Sequence, residues 1–327
     1  MLLVTGGAGY IGSHFVRTYL NRNPRADVVV VDNLVEGHKE ALAFSDRITL
    51  FSQNMGDRDS MRDILSRFPV EAVVHFAAFC YVGESQQKPT KYLQNNVINT
   101  LNLLSVLDEL GIKRFVFSST CATYGNPRSV PIDESHVQDP INVYGMTKLM
   151  VEQALRSYAV TSDWSYVALR YFNAAGADDS GEIGESHDPE THIIPLTLQA
   201  AAGKRDAVQI FGDDYDTPDG TCIRDYIHVN DLAVAHCQAL DLVRSKQVND
   251  AINLGTTHGA SVKEIITTCA EVTGKEIPTR ICPRRSGDPP VLVADNRKAR
   301  LVLGWNPEYD LKRTIETAWM WEQNRRF

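Results

Sequence analysis

Thr5-Gly6-Gly7-Ala8-Gly9-Tyr10-Ile11-Gly12 follows the apolar run Met1-Leu2-Leu3-Val4 and leads into Ser13-His14-Phe15-Val16. Gly6, Gly9 and Gly12 form a GxxGxxG pattern at a strand-to-helix turn. Glycines here let the backbone turn tightly and approach a pyrophosphate, whose charge then faces a helix N-terminus. Glycine-rich turns also serve packing, so the next acid matters. Asp32 closes the second apolar run, where a carboxylate can hold both ribose hydroxyls of an adenosine. A 2'-phosphate would be repelled there, and Asn33-Leu34 offers no arginine to receive one. NAD is the expected dinucleotide, in preference to NADP.

Outward from this turn, apolar β-branched runs alternate with helical periodicity: 1–5, 27–32, 47–51, 72–78, 114–120 and 165–173. Continuous apolar runs of this length suit strands buried on both faces with helices between them. The expected fold is α/β, a doubly wound parallel sheet of the Rossmann type with a smaller C-terminal substrate-binding lobe. Near residue 176 the texture changes to a loop-like Gly, Asp and Pro-rich passage. We place an NAD-binding domain at 1–175 and the lobe at 176–327, with a segment near 222–242 returning to the first domain. Ser261 and Glu264 form a capping-box signature at the start of a helix.

The 327 residues carry a net charge of -8 and 43% apolar side chains. No long basic run or basic stripe interleaved with aromatics is present, which argues against nucleic acid as a partner. Six cysteines without CxxC spacing or regular pairing fit reduced thiols. No stretch approaches membrane-spanning length, and the first residues enter a strand-like run directly. A soluble cytoplasmic protein without membrane association is expected. Nine histidines show neither HxxxH nor HExxH, so no metal site is expected.

Val143-Tyr144-Gly145-Met146-Thr147-Lys148 places a phenol and an ammonium four residues apart, on one face of a helix. Among twelve tyrosines only Tyr144 has a lysine at that spacing. Thr120 ends the fifth apolar run, and strand carboxyl ends face the ligand crevice in such sheets. Solvated neighbours can share this spacing, but the glycine turn favours a catalytic pair. A phenol with pKa near ~10 needs a shift of roughly three units, or about 4 kcal/mol, to act as a base at neutral pH. Lys148 and an oxidised nicotinamide can both contribute that positive charge. Tyr144 would then take a proton from a substrate hydroxyl, with Thr120 bonded to the same oxygen.

The ordered motifs TGGAGYIGSH (5–14), VVDNL (30–34), HFAA (75–78), VGES (82–85), NNV (95–97), SSTCATYG (118–125) and YGMTK (144–148) span the first half. RYFNAAGA (170–177), DGTCIRDYIHVNDLAVAH (219–236), NLG (253–255), RRSGD (284–288) and LGW (303–305) continue the set. With them the chain resembles the extended short-chain dehydrogenase/reductase family, and within it the UDP-sugar 4-epimerases. The resemblance implies hydride removal from C4 of the sugar, turnover of the 4-keto sugar in the pocket, and hydride return to the opposite face by tightly held NAD. It also implies catalytic roles for Tyr144, Lys148 and Thr120. By the same resemblance Tyr10, Ile11, Asp32, Asn33, Met55, Phe76, Ala77, Ala78, Asn95, Ser118 and Tyr171 contact the cofactor, beside Gly6, Gly9 and Gly12. Gln53-Asn54-Met55-Gly56-Asp57 departs from the family's GDxRD; Asn54 replaces the aspartate that accepts from the adenine amino group, and an amide oxygen can also accept.

A UDP-sugar brings a pyrophosphate, which an acidic protein must meet with placed cations. Arg224 and Arg285 match the family's positions, with Arg284 beside Arg285; a guanidinium fork can bind two phosphate oxygens at once. Asn173 matches a pyrophosphate contact, Asp288 a uridine ribose contact, and His192 and Ile193 a loop near the nucleotide. Val208, Gln209 and Phe211 lie in a stretch resembling the strand whose backbone and Phe ring meet uracil. Cys121 follows a strand end without a base nearby and is read as packing.

Nucleotide-sugar dehydratases in the same family carry an additional acid after the Ser/Thr. Here Cys121 and Ala122 occupy those positions and cannot donate that proton. A non-catalytic NAD-sensing scaffold would be expected to lack part of the triad, which is intact. Exchange of UDP-glucose and UDP-galactose is the leading expectation; UDP-N-acetylhexosamine is an alternative because Leu292 matches a family position bordering the sugar pocket and is of intermediate size, and UDP-xylose/UDP-arabinose another because SSTCATYG and DGTCIRDY resemble pentose-nucleotide 4-epimerases. The resemblance further suggests a homodimer through helices near Asn96–Leu110 and Thr147–Ala159.

Overall fold

The computed structural model describes residues 1–285 and 287–327; Ser286, within the RRSGD motif, lies outside them. In chain order the first half contains β1 (Leu2–Thr5), α1 (Tyr10–Arg22), β2 (Val28–Asp32), β3 (Ile48–Ser52), α2 (Arg58–Ser66) and β4 (Ala72–His75). It continues through α3 (Val82–Gln87), α4 (Pro89–Tyr92), α5 (Asn99–Glu109), β5 (Arg114–Thr120), α6 (Val143–Thr161) and β6 (Ser165–Tyr171). The second half comprises β7 (Asn173–Ala175), α7 (Ile193–Ala201), β8 (Val208–Phe211), β9 (Ile223–His228), α8 (Val229–Ser245) and β10 (Asn249–Leu254). Then come β11 (Gly259–Ser261), α9 (Val262–Thr273), β12 (Thr279–Cys282), β13 (Val291–Leu292), α10 (Arg297–Leu303) and α11 (Leu311–Asn324).

Seven parallel strands run in the order β3-β2-β1-β4-β5-β6-β10. Strand order reverses between β1 and β4, and the carboxyl ends on either side open the crevice where such sheets take ligands. The inner strands β1, β2 and β4 are continuous apolar runs, β2 ending in Asp32, because both faces are covered. Leu2, Val4, Val28, Val30, Ala72, Val74, Val167 and Leu169 share a core with Phe15, Val16 and Leu20 of α1 and Leu232, Ala235 and Leu240 of α8. The alternate residues Leu3, Val29, Val31, Val73, Phe115 and Phe117 face Met61 and Ile64 of α2, Leu103 and Leu107 of α5, and Val151 and Leu155 of α6. Each fully buried leucine here contributes about 1.5–3 kcal/mol.

The six strand expectations correspond to β1 to β6. The seventh strand, β10, was not expected. Its sequence Asn-Asp-Ala-Ile-Asn-Leu starts exposed and becomes buried only over its last three residues, so it lacks the continuous apolar run of the inner strands. The start of the segment expected to return, β9, pairs outside this sheet, whereas α8 packs on α1 and β10 joins the sheet edge on β6.

In the smaller lobe β9 pairs with β7, β11 and β13, while β8 pairs with β12. Ile194, Leu198, Val208, Ile265, Cys269 and Ile315 form its core. The Ser261–Glu264 capping box is present: the Ser261 hydroxyl accepts from the Glu264 amide at 3.0 Å, and the Glu264 carboxylate accepts from the Ser261 amide at 3.4 Å. Among the described residues no helix is long and apolar enough to cross a membrane.

Candidate active site

The glycine turn is built for close approach. Gly6 has φ +72°, and a Cβ there would lie 2.5 Å from the Ala77 amide nitrogen. A Cβ on Gly12 would drive into the Gly6 carbonyl and stand 2.8 Å from the Gly7 Cα. Gly9 is the N-cap of α1, without a side-chain cap and with no acid in the first turn. With neither a capping side chain nor a first-turn acid, this helix end presents its amides at Tyr10 and Ile11 to an anionic group.

Asp32 is buried at the end of β2. One carboxylate oxygen accepts from the Ala8 amide at 3.0 Å and the other from the Leu34 amide at 2.9 Å. Burial pushes its carboxyl pKa up, with the two amides opposing. Each oxygen keeps acceptor capacity for a neutral diol, whereas a second anion would add repulsion to that desolvation cost. The uncapped helix, the cradle that a Cβ would fill and the acid at its rim fit an NAD adenosine and pyrophosphate.

Around the turn, the Thr5 carbonyl accepts from the amides of Phe76 (2.8 Å) and Ala77 (3.1 Å), which brings 76–78 beside the glycines. Tyr10 Oη donates to the Gly176 carbonyl at 2.6 Å, and Ile11 packs against the first core. The Asn33 side chain accepts from the Val35 amide at 3.1 Å. Asn95 Nδ2 donates to Asn96 Oδ1 at 3.0 Å. Two expectations change here. The Asn54 oxygen already accepts from the Gly56 amide at 2.8 Å and from Asn99 Nδ2 at 3.2 Å, so the atom expected to meet adenine is committed to the turn. The Met55 side chain is buried in the core below α2 and α5, leaving only its backbone available.

Thr120, Tyr144 and Lys148 are all buried. Thr120 ends β5 opposite Tyr171 of β6, and its hydroxyl accepts from the Ala122 amide at 3.2 Å. The start of α6 is fixed from both sides: the Asn142 side chain accepts from the Gly145 amide at 2.8 Å, and Ser85 Oγ accepts from the Tyr144 amide at 3.2 Å. A Cβ on Gly145 would collide with the Ala122 carbonyl, so glycine lets α6 approach the turn after Thr120. Lys148 Nζ donates to the Ser118 carbonyl at 2.7 Å and stands 5.9 Å from the centre of the Tyr144 ring. Ser118 Oγ and Tyr171 Oη are 2.5 Å apart.

Burial dominates the electrostatics of the pair. Burial holds the Tyr144 phenol well above its ordinary range, with Thr120 the side chain that pulls it back down. Burial also depresses Lys148 to about 8. Both groups lose hydration, and desolvation penalises each charged form. Further positive charge is therefore required before the phenol can act as a base.

Asn96 and Cys80 escaped the sequence reading. Asn96 Oδ1 accepts from the Phe79 amide and Nδ2 donates to the Phe79 carbonyl, both at 2.9 Å, and Nδ2 also donates to Thr147 Oγ1 at 3.2 Å. It joins the loop after β4 to α6; the doubled asparagine in NNV was the available signal. Cys80 is a free, exposed thiol on that same loop. Cys121 is different, since burial pushes its thiol up to about 12, as an inert packing residue requires.

Behind the triad lies a buried polar network. Arg170 pairs with Glu152 at 2.6 Å, and Ser119 Oγ donates to Glu152 at 2.5 Å. Arg170 also donates to Tyr124 Oη at 2.9 Å, which donates to Asn253 Oδ1 at 2.7 Å. These bonds tie α6 to β5, β6 and β10.

Of the residues expected to meet the substrate nucleotide, Arg224 and Arg285 share one carboxylate. Arg224 lies 3.7 Å from Asp288 Oδ1 and Arg285 lies 3.3 Å from Asp288 Oδ2. The Arg285 guanidinium also covers the Phe211 ring at 4.5 Å. Arg284 turns away to Asp214, 2.6 Å distant, and to the Tyr215 ring. Gln209 is exposed, while the Val208 side chain enters the lobe core, so Val208 offers only its backbone. The Asn173 side chain donates to the Asp225 carbonyl at 3.1 Å. His192 is the N-cap of α7 and Ile193 its first residue.

His192 belongs to a cluster that sequence spacing had not suggested. Glu185, His187, Glu190 and His192 bring one ligand atom each within 4.8 Å of one another. The signal was present as E-x-H-x-x-E-x-H in Glu185-Ser-His-Asp-Pro-Glu-Thr-His192. Both carboxylates raise His192 well above its ordinary range against the opposing effect of burial.

The model of the NAD dependent epimerase/dehydratase family matches residues 2–255. The chain is 50% identical over 324 residues to the UDP-glucose 4-epimerase of Rhizobium meliloti, covering 99% of this chain and 97% of that protein. It superposes on a crystal structure of UDP-glucose 4-epimerase from Brucella ovis in complex with NAD with a TM-score of 0.93, at 47% identity and 97% coverage of each chain. It also superposes on a UDP-glucose-4-epimerase structure from Stenotrophomonas maltophila with bound NAD and formylated UDP-arabinopyranose, with a TM-score of 0.94 at 39% identity, covering 99% of this chain and 98% of that one. Sequence and fold agree over the whole length, and the chain belongs to the NAD dependent epimerase/dehydratase family.

Proposed function

We propose that this protein interconverts UDP-glucose and UDP-galactose at C4 of the sugar while keeping NAD bound. The observation that carries this reading is the convergence of Thr120, Tyr144 and Lys148 at the carboxyl end of β5, followed by Cys121 and Ala122 in place of any second acid. The hexose assignment is supported by the activity named for the relatives above.

NAD, when bound, supplies the hydride acceptor and, once the sugar has turned over, the hydride donor. The chain's own residues manage the proton and the pose. Tyr144 takes the C4 hydroxyl proton and later returns it to the oxygen of the inverted alcohol, while the Thr120 hydroxyl bonds that oxygen. Lys148, held by the Ser118 carbonyl, keeps a cation beside the phenol. Because burial raises the Tyr144 pKa, the tyrosine is a competent base only when more positive charge is close by. Tyr10 and Ile11 amides meet the pyrophosphate of the cofactor and Asp32 its adenosine ribose. Phe76, Ala77, Ala78, Asn95, Ser118 and Tyr171 line the remaining cofactor surface.

Arg224, Arg285 and Asn173 receive the pyrophosphate of the substrate. Phosphate oxygens replace Asp288 as partner of both guanidiniums, which frees that carboxylate for a uridine hydroxyl. β8 uses one edge for its ladder with β12, and the backbone at Val208 and Gln209, with the Phe211 ring, meets uracil. His192 and Ile193 flank the nucleotide.

A homodimer is part of this proposal. It is supported by the exposed apolar side chains Leu93, Ile98 and Leu101, together with Met146 and Met150 of α6. A cytoplasmic setting is supported by six free cysteines. The test is conversion of UDP-galactose to UDP-glucose by purified protein without added NAD. No turnover on UDP-galactose, UDP-N-acetylgalactosamine or UDP-arabinose, with NAD confirmed bound, would reject the activity.

A further inference from the structure

We infer that Glu185, His187, Glu190 and His192 form a zinc site that clips the loop between β7 and α7. The four side chains come from eight consecutive residues, so one ion would close a single local loop. His192 Nδ1 lies 2.7 Å from Glu185 Oε1 and 3.2 Å from Glu190 Oε1. His187 Nδ1 lies 3.1 Å from the same Glu185 oxygen and 3.8 Å from Glu190 Oε2. Ligands of a tetrahedral zinc with bonds of about 2.0–2.1 Å stand roughly 3.3–3.4 Å apart, and the four separations bracket that value. Two imidazoles with two carboxylates are a borderline N/O set that suits zinc better than calcium or magnesium, which prefer all-oxygen ligation.

A metal-free reading is two histidines ion-paired with two glutamates. His187 separates the two readings. Its Nδ1 is buried and within ion-pair distance of both carboxylates, yet it makes a hydrogen bond to neither. A nitrogen left orphaned among two carboxylates and a second imidazole needs a partner that all four can share. The surroundings would also hold a fixed ion. The Glu185 carbonyl accepts from Trp321 Nε1 at 2.7 Å, and the His187 ring stands edge-on to Tyr81 (5.7 Å) and Tyr10 (6.4 Å). Ligation through Nδ1 leaves Nε2 of His192 available to the nucleotide side. The site would fix the loop entering α7 against the start of α1 without taking part in hydride transfer.

Metal content of the purified holoenzyme, followed by chelation and calorimetric titration with zinc chloride, tests this directly. One zinc per chain is expected, and His187→Ala or Glu190→Gln should weaken binding by about a hundredfold or more. Cobalt(II) in the chelated wild-type protein should give tetrahedral d–d absorption without a thiolate charge-transfer band, a readout independent of variant folding and of epimerase activity. Absence of stoichiometric zinc or cobalt binding, a thiolate band, or unchanged affinity in folded variants would overturn the assignment.

Discussion

Lys148 Nζ donates to the Ser118 carbonyl at 2.7 Å, and Ser118 Oγ in turn lies 2.5 Å from Tyr171 Oη. The ammonium is thus anchored to the sheet rather than to the phenol it accompanies. Its depressed pKa of about 8 arises mainly from burial and has a measurable consequence. Below the folded-state value both folded and unfolded lysine are protonated. Between about 8 and the unfolded value near ~10.4, the unfolded chain binds more protons, so stability rises with pH. We predict that the unfolding free energy of NAD-free wild type, minus that of Lys148→Met, increases between about pH 7.5 and about pH 9.5. A flat or falling difference in denaturant titrations would show that the lysine is not strained by burial.

Tyr144→Phe removes the proton acceptor while keeping the ring. Turnover should fall about 10²–10⁴-fold, the usual weight of a positioned general base, with UDP-sugar affinity changed little. Steady-state rates with equilibrium binding on the same preparation separate chemistry from binding.

Arg224 and Arg285 share Asp288 in the structure, and the proposed function has a pyrophosphate take its place. Losing one charge-assisted contact costs about 1.5–3 kcal/mol, or roughly 10–150-fold. Arg285→Ala should therefore raise KM for the UDP-sugar by that order and leave NAD content unchanged. A variant with normal KM would remove Arg285 from the substrate site.

The Glu152–Arg170 pair is buried beneath the triad. Glu152→Gln should destabilise the protein by about 3–5 kcal/mol because Arg170 is left without its counter-charge. The double change Glu152→Leu with Arg170→Met should recover much of that loss. Chemical denaturation of the three proteins measures it; a single variant as stable as wild type would contradict the pair's role.

The apolar side chains Ile98, Leu101 and Met150 are exposed in the isolated chain. Leu101→Glu with Met150→Glu should convert a dimer into monomers in light scattering after gel filtration. Wild-type protein that is already monomeric would dispose of the dimer.

Much of this arrangement was readable from sequence where one local physical demand sets the residue. β1, β2 and β4 are buried on both faces, so their strands had to be continuous apolar runs. Gly6 and Gly12 sit where a Cβ has no room, and Tyr144 and Lys148 share a helix face by spacing alone. β10 was missed because an edge strand tolerates Asn249 and Asp250. Glu152 and Arg170 lie 18 residues apart on different elements, and their pairing depends on how α6 packs over β6. Asn54 was legible as an acceptor, but its turn with Gly56 uses the oxygen first. The His187 cluster was written in contiguous sequence and hidden by spacings that match no familiar metal motif.

In the proposed reaction one hydride leaves C4 and returns to the same carbon while Tyr144 handles the proton. Turnover of UDP-galactose carrying deuterium at C4, in ordinary water and without added NAD, follows that hydride. The expected product is UDP-glucose that keeps the deuterium at C4. Product that has exchanged that deuterium for solvent hydrogen would contradict it.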